Sequence, residues 1–306
     1  MPEKKSLIVV GGPTAAGKSA VAIALAKLYS TEIINADSRQ VYAELNIGVN
    51  KPTKEELLNI SHHLIGHVSI HQDYNAGLYE WDALNVINSI FQRNQTAVLV
   101  GGTGLYIKAV IQGLDEFPQV STEIKKELSE LYTLYGLEFI QQRLIEVDPE
   151  YAAEVDLHNP MRILRALEVS LSSGEKYSSL RARNSKNRNF KVIPVFISKD
   201  RTELYKIIDE RVDFMVEKGL KQEAFSLSAY KHLKALQTVG YTEWFDFFEG
   251  KLSESEAINK IKQHTRNYAK RQWTWWKPWA WPEFEASQLD KIQQYIDLEK
   301  NNKKVY

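Results

Sequence analysis

The sequence predicts an α/β protein: a P-loop-type parallel sheet flanked by helices, with a mainly helical insertion domain. Three observations point there. Short apolar runs, such as residues 7–10 (LIVV) and 97–100 (AVLV), alternate with stretches of helical spacing. That is how strands covered on both faces read. A glycine-rich segment, GGPTAAGKSA, lies between the first run and a helix. Strand signals then fade after Gly113 and return at Lys191, as they do when helices interrupt one sheet.

In order, residues 7–10 form a first strand and 19–29, rich in Ala and Leu, a helix. Residues 32–36 (EIINA) form a second strand ending at Asp37, and 64–70 a third. Residues 76–92 have helical spacing, with Ala83, Leu84, Ile87, Ile90 and Phe91 facing inward. The strand 97–100 runs into GGTGLY, and 105–112 continues as a helix. Residues 121–135, 137–147 and 160–172 read as helices, 191–197 (KVIPVFI) as a strand, and 201–218 and 255–276 as further helices. The expected organisation is a core of 1–113 plus 191–285, an insertion of 114–190, and a polar tail of 286–306 carrying a surface helix with a frayed end. Ligands of such sheets sit at the carboxyl ends of the strands. Residues 12–19, 37–40 and 101–106 all follow strands, so they should converge on one cleft.

The 306 residues suffice for one large or two ordinary domains, and 43% are hydrophobic. There is no cysteine, which excludes disulfides and thiolate zinc sites and fits a reducing compartment. The start, MPEKKSLIVV, reads as a first strand and not as a secretory signal. No run approaches the roughly 20 apolar residues of a membrane span. A cytoplasmic protein with no membrane partner is expected. Lys+Arg and Asp+Glu are both 39, so net charge does not imply a nucleic-acid partner, although its distribution still can.

Gly12, Gly17, Lys18 and Ser19 fit G-x-x-x-x-G-K-[ST], a loop that cradles phosphates with backbone N–H groups. Lys18 adds a point charge, and the Ser19 hydroxyl is a Mg²⁺ ligand in such loops. Most such loops bind ATP or GTP. Asp37 is either a Mg²⁺-holding carboxylate or helix cap, or a general base. Gln40 suits an adenine edge, since an amide both donates and accepts; the alternative is a surface Gln. Where nucleotide hydrolases often carry an acid, the strand at 97–100 ends in Gly101, Gly102 and Thr103. The glycines admit close approach of a ligand, and Thr103 offers a hydroxyl to a ligand or merely completes a turn. His62, His63, His67 and His71 have partly helical spacing, but the strand-like LIGHVSI breaks that face, which favours structural roles. Two basic runs lack acids. One holds Arg181, Arg183, Lys186, Arg188 and Lys191; the other holds Lys260, Lys262, Arg266, Lys270, Arg271 and Lys277 among Tyr268, Trp273, Trp275 and Trp276. Such runs are either solvated faces with aromatic anchors or RNA-binding surfaces.

Taken in order, GPTAAGKS, INADSRQVY, NIGVNKP, HHLI, VGGTGLYIKA, NPMRILRALEV, DERVDFMVEKG, QTVGYTEW and TRNYAKRQWTWW resemble the motifs of bacterial tRNA dimethylallyltransferases, over about residues 7–281. The resemblance implies transfer of a dimethylallyl group from dimethylallyl diphosphate to N6 of adenosine 37 in tRNAs reading codons that start with U. It implies that Gly12, Pro13, Thr14, Ala15, Ala16, Gly17, Lys18, Ser19 and Arg211 hold the donor diphosphate, with Mg²⁺ on Ser19. Asp37 and Thr103 are implied as catalytic. Asp37, Ser38, Arg39, Gln40 and Thr103 would meet the flipped-out adenosine. Lys125 and Met161, Arg162, Ile163, Leu164 and Arg165 would contact the anticodon stem-loop from the insertion. A monomer is expected. Val49 stands where the family more often has a hydroxyl, and Gly66 where Asp is usual. The competing readings are a small-molecule kinase, which would turn over ATP, and an RNA-binding module with a vestigial loop.

Overall fold

The computed structural model describes residues 5–181 and 186–302. The chain separates into two compact units, 112–186 and the remainder.

The larger unit is built on a six-stranded sheet. Its strands are β1 (Ser6–Gly11), β2 (Ile33–Asn35), β3 (His62–His63), β4 (Thr96–Val100), β5 (Lys191–Ser198) and β6 (Glu283–Glu285). They lie in the order β3-β2-β4-β1-β5-β6, and every pairing is parallel. Side chains alternate across a strand. Leu7 and Val9 therefore enter one core with Ala97 and Leu99, while Ile8 and Val10 enter another with Val98 and Val100. This is why both strands read as unbroken apolar runs.

Helices Ala76–Arg93 and Gly104–Gln112 cover the first face, through Tyr79, Ala83, Ile87 and Ile90 and through Tyr106, Ile107 and Val110. Helix Lys18–Leu28 covers the second with Val21, Ala22, Leu25 and Ala26. Helix Arg201–Glu217 reaches both cores, with Leu204 and Ile208 in one and Val212 and Met215 in the other.

Three expectations need correction. The strand expected at 64–70 is instead His62–His63, with an isolated bridge between Tyr42 and Val68. Leu64 (φ 61°) and Gly66 (φ 60°) both adopt left-handed backbone, which a strand cannot accommodate. The polar 286–306 segment is more than a surface tail: its helix Leu289–Asn301 fully buries Ile292 and Ile296 in the second core. The i, i+4 pair supplies a narrow apolar stripe that a mostly polar composition hides. The sixth strand, β6, was not anticipated.

The smaller unit is helical: Thr122–Val147, Pro149–Glu154, Pro160–Ser173 and Tyr177–Leu180. The first breaks at Gly136 (φ 75°), which separates the two helices expected there. Leu128, Ile140, Leu144, Ile163, Ala166 and Leu167 form its core. Asp148, fully buried, joins three helices by accepting bonds from Tyr151 N, Ser178 N and Ser178 Oγ. Burial raises its pKa, but these bonds outweigh burial and hold it below the ordinary value.

Candidate active site

The carboxyl ends of β1, β2 and β4 meet, and backbone bonds extend the sheet into the loops that follow. Gly101 N donates to Val10 O at 3.2 Å, Ala36 N to Val100 O at 2.7 Å, and Thr103 N to Ala36 O at 3.1 Å. Thr14, Ala15, Gly17, Lys18, Ser19, Asp37, Gln40, Gly101 and Gly102 thereby line one cleft of about 340 Å³. A second cavity of about 510 Å³ shares Thr14, Asp37, Arg211 and Tyr268 with it.

The loop between β1 and helix Lys18–Leu28 turns through Gly12 (φ 144°), Ala15 (φ 65°) and Gly17 (φ 97°). A methyl on Gly12 would lie 2.2 Å from the Ile197 carbonyl oxygen, so only glycine fits there. Pro13 and Ala16 are buried beside it and Thr14 and Ala15 are half-buried. The helix begins without a side-chain cap, which leaves its first N–H groups to an anion. Lys18 Nζ donates to Pro13 O at 2.7 Å. Burial depresses its pKa to about 8; Asp37 opposes the fall, and Arg211 adds to it. Burial likewise lowers the Arg211 pKa, which Asp37 partly offsets. Arg211 Nη1 donates to Thr14 Oγ1 at 3.1 Å. Two cations held near one another, both short of solvation, form a site waiting for negative charge. Ser19 is exposed at the head of the helix.

Opposite stands the turn that follows β2. Asp37 Oδ1 accepts N–H bonds from Arg39 at 2.8 Å and Gln40 at 3.4 Å. Thr103 Oγ1 accepts from Ser38 N at 2.9 Å and donates to Ser38 Oγ at 3.2 Å. Tyr268, on helix Glu254–Trp276, lines the same cleft. Burial raises its phenol pKa, and Asp37 raises it further. Arg39 Nη1 reaches the carbonyls of Lys234 and Ala235. Gln40 Nε2 donates to Val49 O at 3.1 Å and Asn50 O at 2.9 Å, so its donors hold the protein's own loop. That loop is also gathered by Glu223, which accepts from Asn46, Ile47 and Gly48 N and from Tyr241 Oη. Val49 is buried in the first core, which explains an apolar residue there. The left-handed φ of Gly66 suits glycine.

At Gly101, Gly102 and Gly104 the protein itself packs closely against one side of the backbone, while Gly101 and Gly102 also line the cleft. A methyl on Gly101 would lie 2.1 Å from Ala36 O, one on Gly102 2.2 Å from Gln272 Nε2, and one on Gly104 1.9 Å from Trp275 Nε1.

The described residues of the first basic run are paired, and those of the second in part. Lys262 contacts Asp213 at 2.6 Å, and Arg266 pairs with Asp209. Arg188 bonds Glu80 and the carbonyls of Ala109 and Val110. Arg181 meets Glu154, Lys186 meets Glu116 and Lys191 meets Glu299. Arg183 lies outside the described residues. Trp276 is buried. The paired residues join elements, while Trp273 stays exposed. The histidines have separate partners: Ile60 O for His62, Glu32 for His63, Tyr74 for His67 and the Tyr230 ring for His71. No cluster of three metal-ligating side chains occurs among the described residues.

Lys125 and the 161–165 segment belong to the smaller unit. Lys125, Met161, Arg162 and Arg165 are exposed there, and Leu164 is half-buried. Ile163 is fully buried in that unit's core, so its side chain does not reach an outside partner. Reading the sequence alone missed Gln272, Tyr268, Glu223 and Tyr241 as organisers of the site. The i, i+4 spacing of Tyr268 and Gln272 was the available signal; the basic residues around it drew attention away.

The family model for IPP transferase matches residues 40–279. The chain is 43% identical over 298 residues to the tRNA dimethylallyltransferase of Christiangramia forsetii, covering 96% of this chain and 98% of that protein. It is 41% identical to that of Cytophaga hutchinsonii, with 96% and 97% covered. Among solved structures, the full-length tRNA isopentenylpyrophosphate transferase of Bacillus halodurans superposes with a TM-score of 0.71 at 31% identity, covering 97% of each chain. A eukaryotic dimethylallyltransferase acting on tRNA gives a TM-score of 0.77 at 26% identity, over 96% of this chain and 77% of its own.

Proposed function

The chain belongs to the IPP transferase family, and from that premise we propose that it transfers a dimethylallyl group from dimethylallyl diphosphate to N6 of adenosine 37 in tRNAs reading codons that start with U. One observation carries the assignment of roles: two desolvated cations, Lys18 and Arg211, face the Asp37 carboxylate across the cleft.

The cations and the loop N–H groups hold the diphosphate. As N6 bonds to the allylic carbon, the bond from that carbon to oxygen breaks and its electrons leave with the diphosphate. Donors aimed at the leaving oxygens stabilise this charge where it develops. N6 is a weak nucleophile until it bonds; it then becomes acidic, and Asp37 takes its proton. Thr103, held by Ser38, orients the amine. Gln40, its Nε2 engaged by the 49–50 loop, offers its oxygen to the adenine edge.

The exposed Ser19 hydroxyl beside an open phosphate site fits Mg²⁺, which keeps waters and substrate phosphates as its other ligands and would supply further charge neutralisation. A stacked base cannot enter such a cleft, so the target adenosine is flipped out. The exposed Lys125, Met161, Arg162 and Arg165 grip the anticodon stem-loop, while Ile163 anchors the helix that carries the last three. The absence of cysteine and the tRNA substrate both fit the cytoplasm.

The test uses purified protein, unmodified tRNA, dimethylallyl diphosphate and Mg²⁺, followed by nucleoside mass spectrometry. N6-dimethylallyladenosine should form without ATP. Strict dependence on ATP hydrolysis would overturn the donor assignment.

A further inference from the structure

Gln272 lies on the inward face of helix Glu254–Trp276 and is 6% exposed. Its amide is engaged at both ends. Oε1 accepts the Thr14 N–H at 2.8 Å, and Nε2 donates to Gly102 O at 2.9 Å. Thr14 belongs to the anion loop and carries the hydroxyl that Arg211 holds. Gly102 precedes Thr103, which holds Ser38 beside Asp37. No other side chain among the described residues bonds both segments in this way.

We propose that Gln272 is a positioning residue: its amide sets the distance and angle between the leaving diphosphate and the acceptor turn. This rests on the transfer reaction proposed above. Gln272 also lines the cleft, and in this role it acts through Thr14 and Gly102. A displacement of about 1 Å between reacting groups lowers a rate by up to about 100-fold without removing any binding contact. An amide suits the task because one end must accept and the other must donate.

The test uses the full chain with tRNA, dimethylallyl diphosphate and Mg²⁺. Gln272→Met keeps length and loses both bonds. Its single-turnover rate should fall about 10- to 100-fold, with donor affinity within about threefold of the wild type. Gln272→Glu is the second variant. Ionised, it can accept from Thr14 but opposes the Gly102 carbonyl; protonated, it both accepts and donates like the amide. Burial beside the Gly102 carbonyl raises that carboxyl above its ordinary pKa, so the variant's rate, divided by the wild-type rate at each pH, should rise as pH falls from about 8 to about 5. The inference is overturned by a Gln272→Met rate near that of the wild type, or by donor affinity falling as far as the rate. A flat Gln272→Glu ratio overturns it too, and that variant decides the matter if Gln272→Met does not fold. Failure of the wild type to transfer at all would instead refute the proposed function.

Discussion

Replacing Asp37 with Asn separates its chemistry from its structural duty. The carboxylate oxygen caps the turn with bonds of 2.8 and 3.4 Å to Arg39 and Gln40 N–H. An Asn oxygen can accept the same two bonds, so the turn persists; the weaker acceptor costs about 1 kcal/mol of stability. The variant cannot take a proton. If Asp37 is the base, the rate of transfer should fall roughly 10²–10⁴-fold, the usual range for lost general-base catalysis. That corresponds to about 2.7–5.5 kcal/mol of barrier.

Donor binding should change far less, and the structure bounds the change. Asp37 supports the Lys18 charge, and the Lys18 pKa is about 8. Even a further fall of about one unit would leave about half of Lys18 charged at pH 7, a change of about twofold in the binding-competent fraction. Single-turnover transfer, with donor and tRNA affinities measured separately, resolves the two effects. A near-normal rate in Asp37→Asn would refute the base assignment. A joint collapse of donor affinity and metal dependence would identify Asp37 as a metal ligand instead.

Diphosphate affinity should weaken as pH rises through about 8, because Lys18 then loses its charge; titration calorimetry with inorganic diphosphate from pH 6.5 to 9.5 checks this, and a flat profile contradicts it. The same group affects folding: its folded pKa of about 8 lies below its ordinary value of 10.5, so between these the unfolded chain binds more protons. Its contribution to stability therefore rises with pH across that window and is a cost at pH 7, readable in urea melts. Gly101→Ala places a methyl 2.1 Å from Ala36 O, which should cost about 1–3 kcal/mol by denaturation and slow transfer by separating Asp37 from Thr103; unchanged stability and rate would contradict the contact. Arg162→Glu, exposed on the smaller unit, should weaken tRNA binding and lower the salt slope by about 1. Its donor affinity should stay within about twofold, and an equal loss of both affinities would argue against separate roles.

The residues of β1 and β4, the Gly12–Ser19 loop and the helices behind them were legible because their signals are local. Alternation, glycine spacing and helical periodicity each act over a few residues, and the parallel sheet follows from repeating them. Asp37 and Thr103 were legible as residues that follow strands, since strand ends converge in a parallel sheet. Family motifs extended this to Arg211 and to the insertion, whose positions have no local signature.

Charge partnering was not legible, because it depends on residues far apart in the chain. Lys262 and Arg266 read as an open basic run, yet Asp213 and Asp209, on another helix, neutralise them. Arg188 looks equally free until Glu80 appears beside it. The glycines after Val100 suggest room for a ligand; Gly101 and Gly102 do line the cleft, and packing adds that Ala36, Gln272 and Trp275 press on Gly101, Gly102 and Gly104. Gln272 meets Thr14 across 258 positions of sequence, a distance over which no periodicity carries information. The sequence by itself determined most of the elements and placed the glycine-rich loop and Asp37 at strand ends. Only the tertiary structure decided which polar groups face the cleft and which join the elements together, since a buried donor or acceptor takes whichever partner packing brings within about 3 Å.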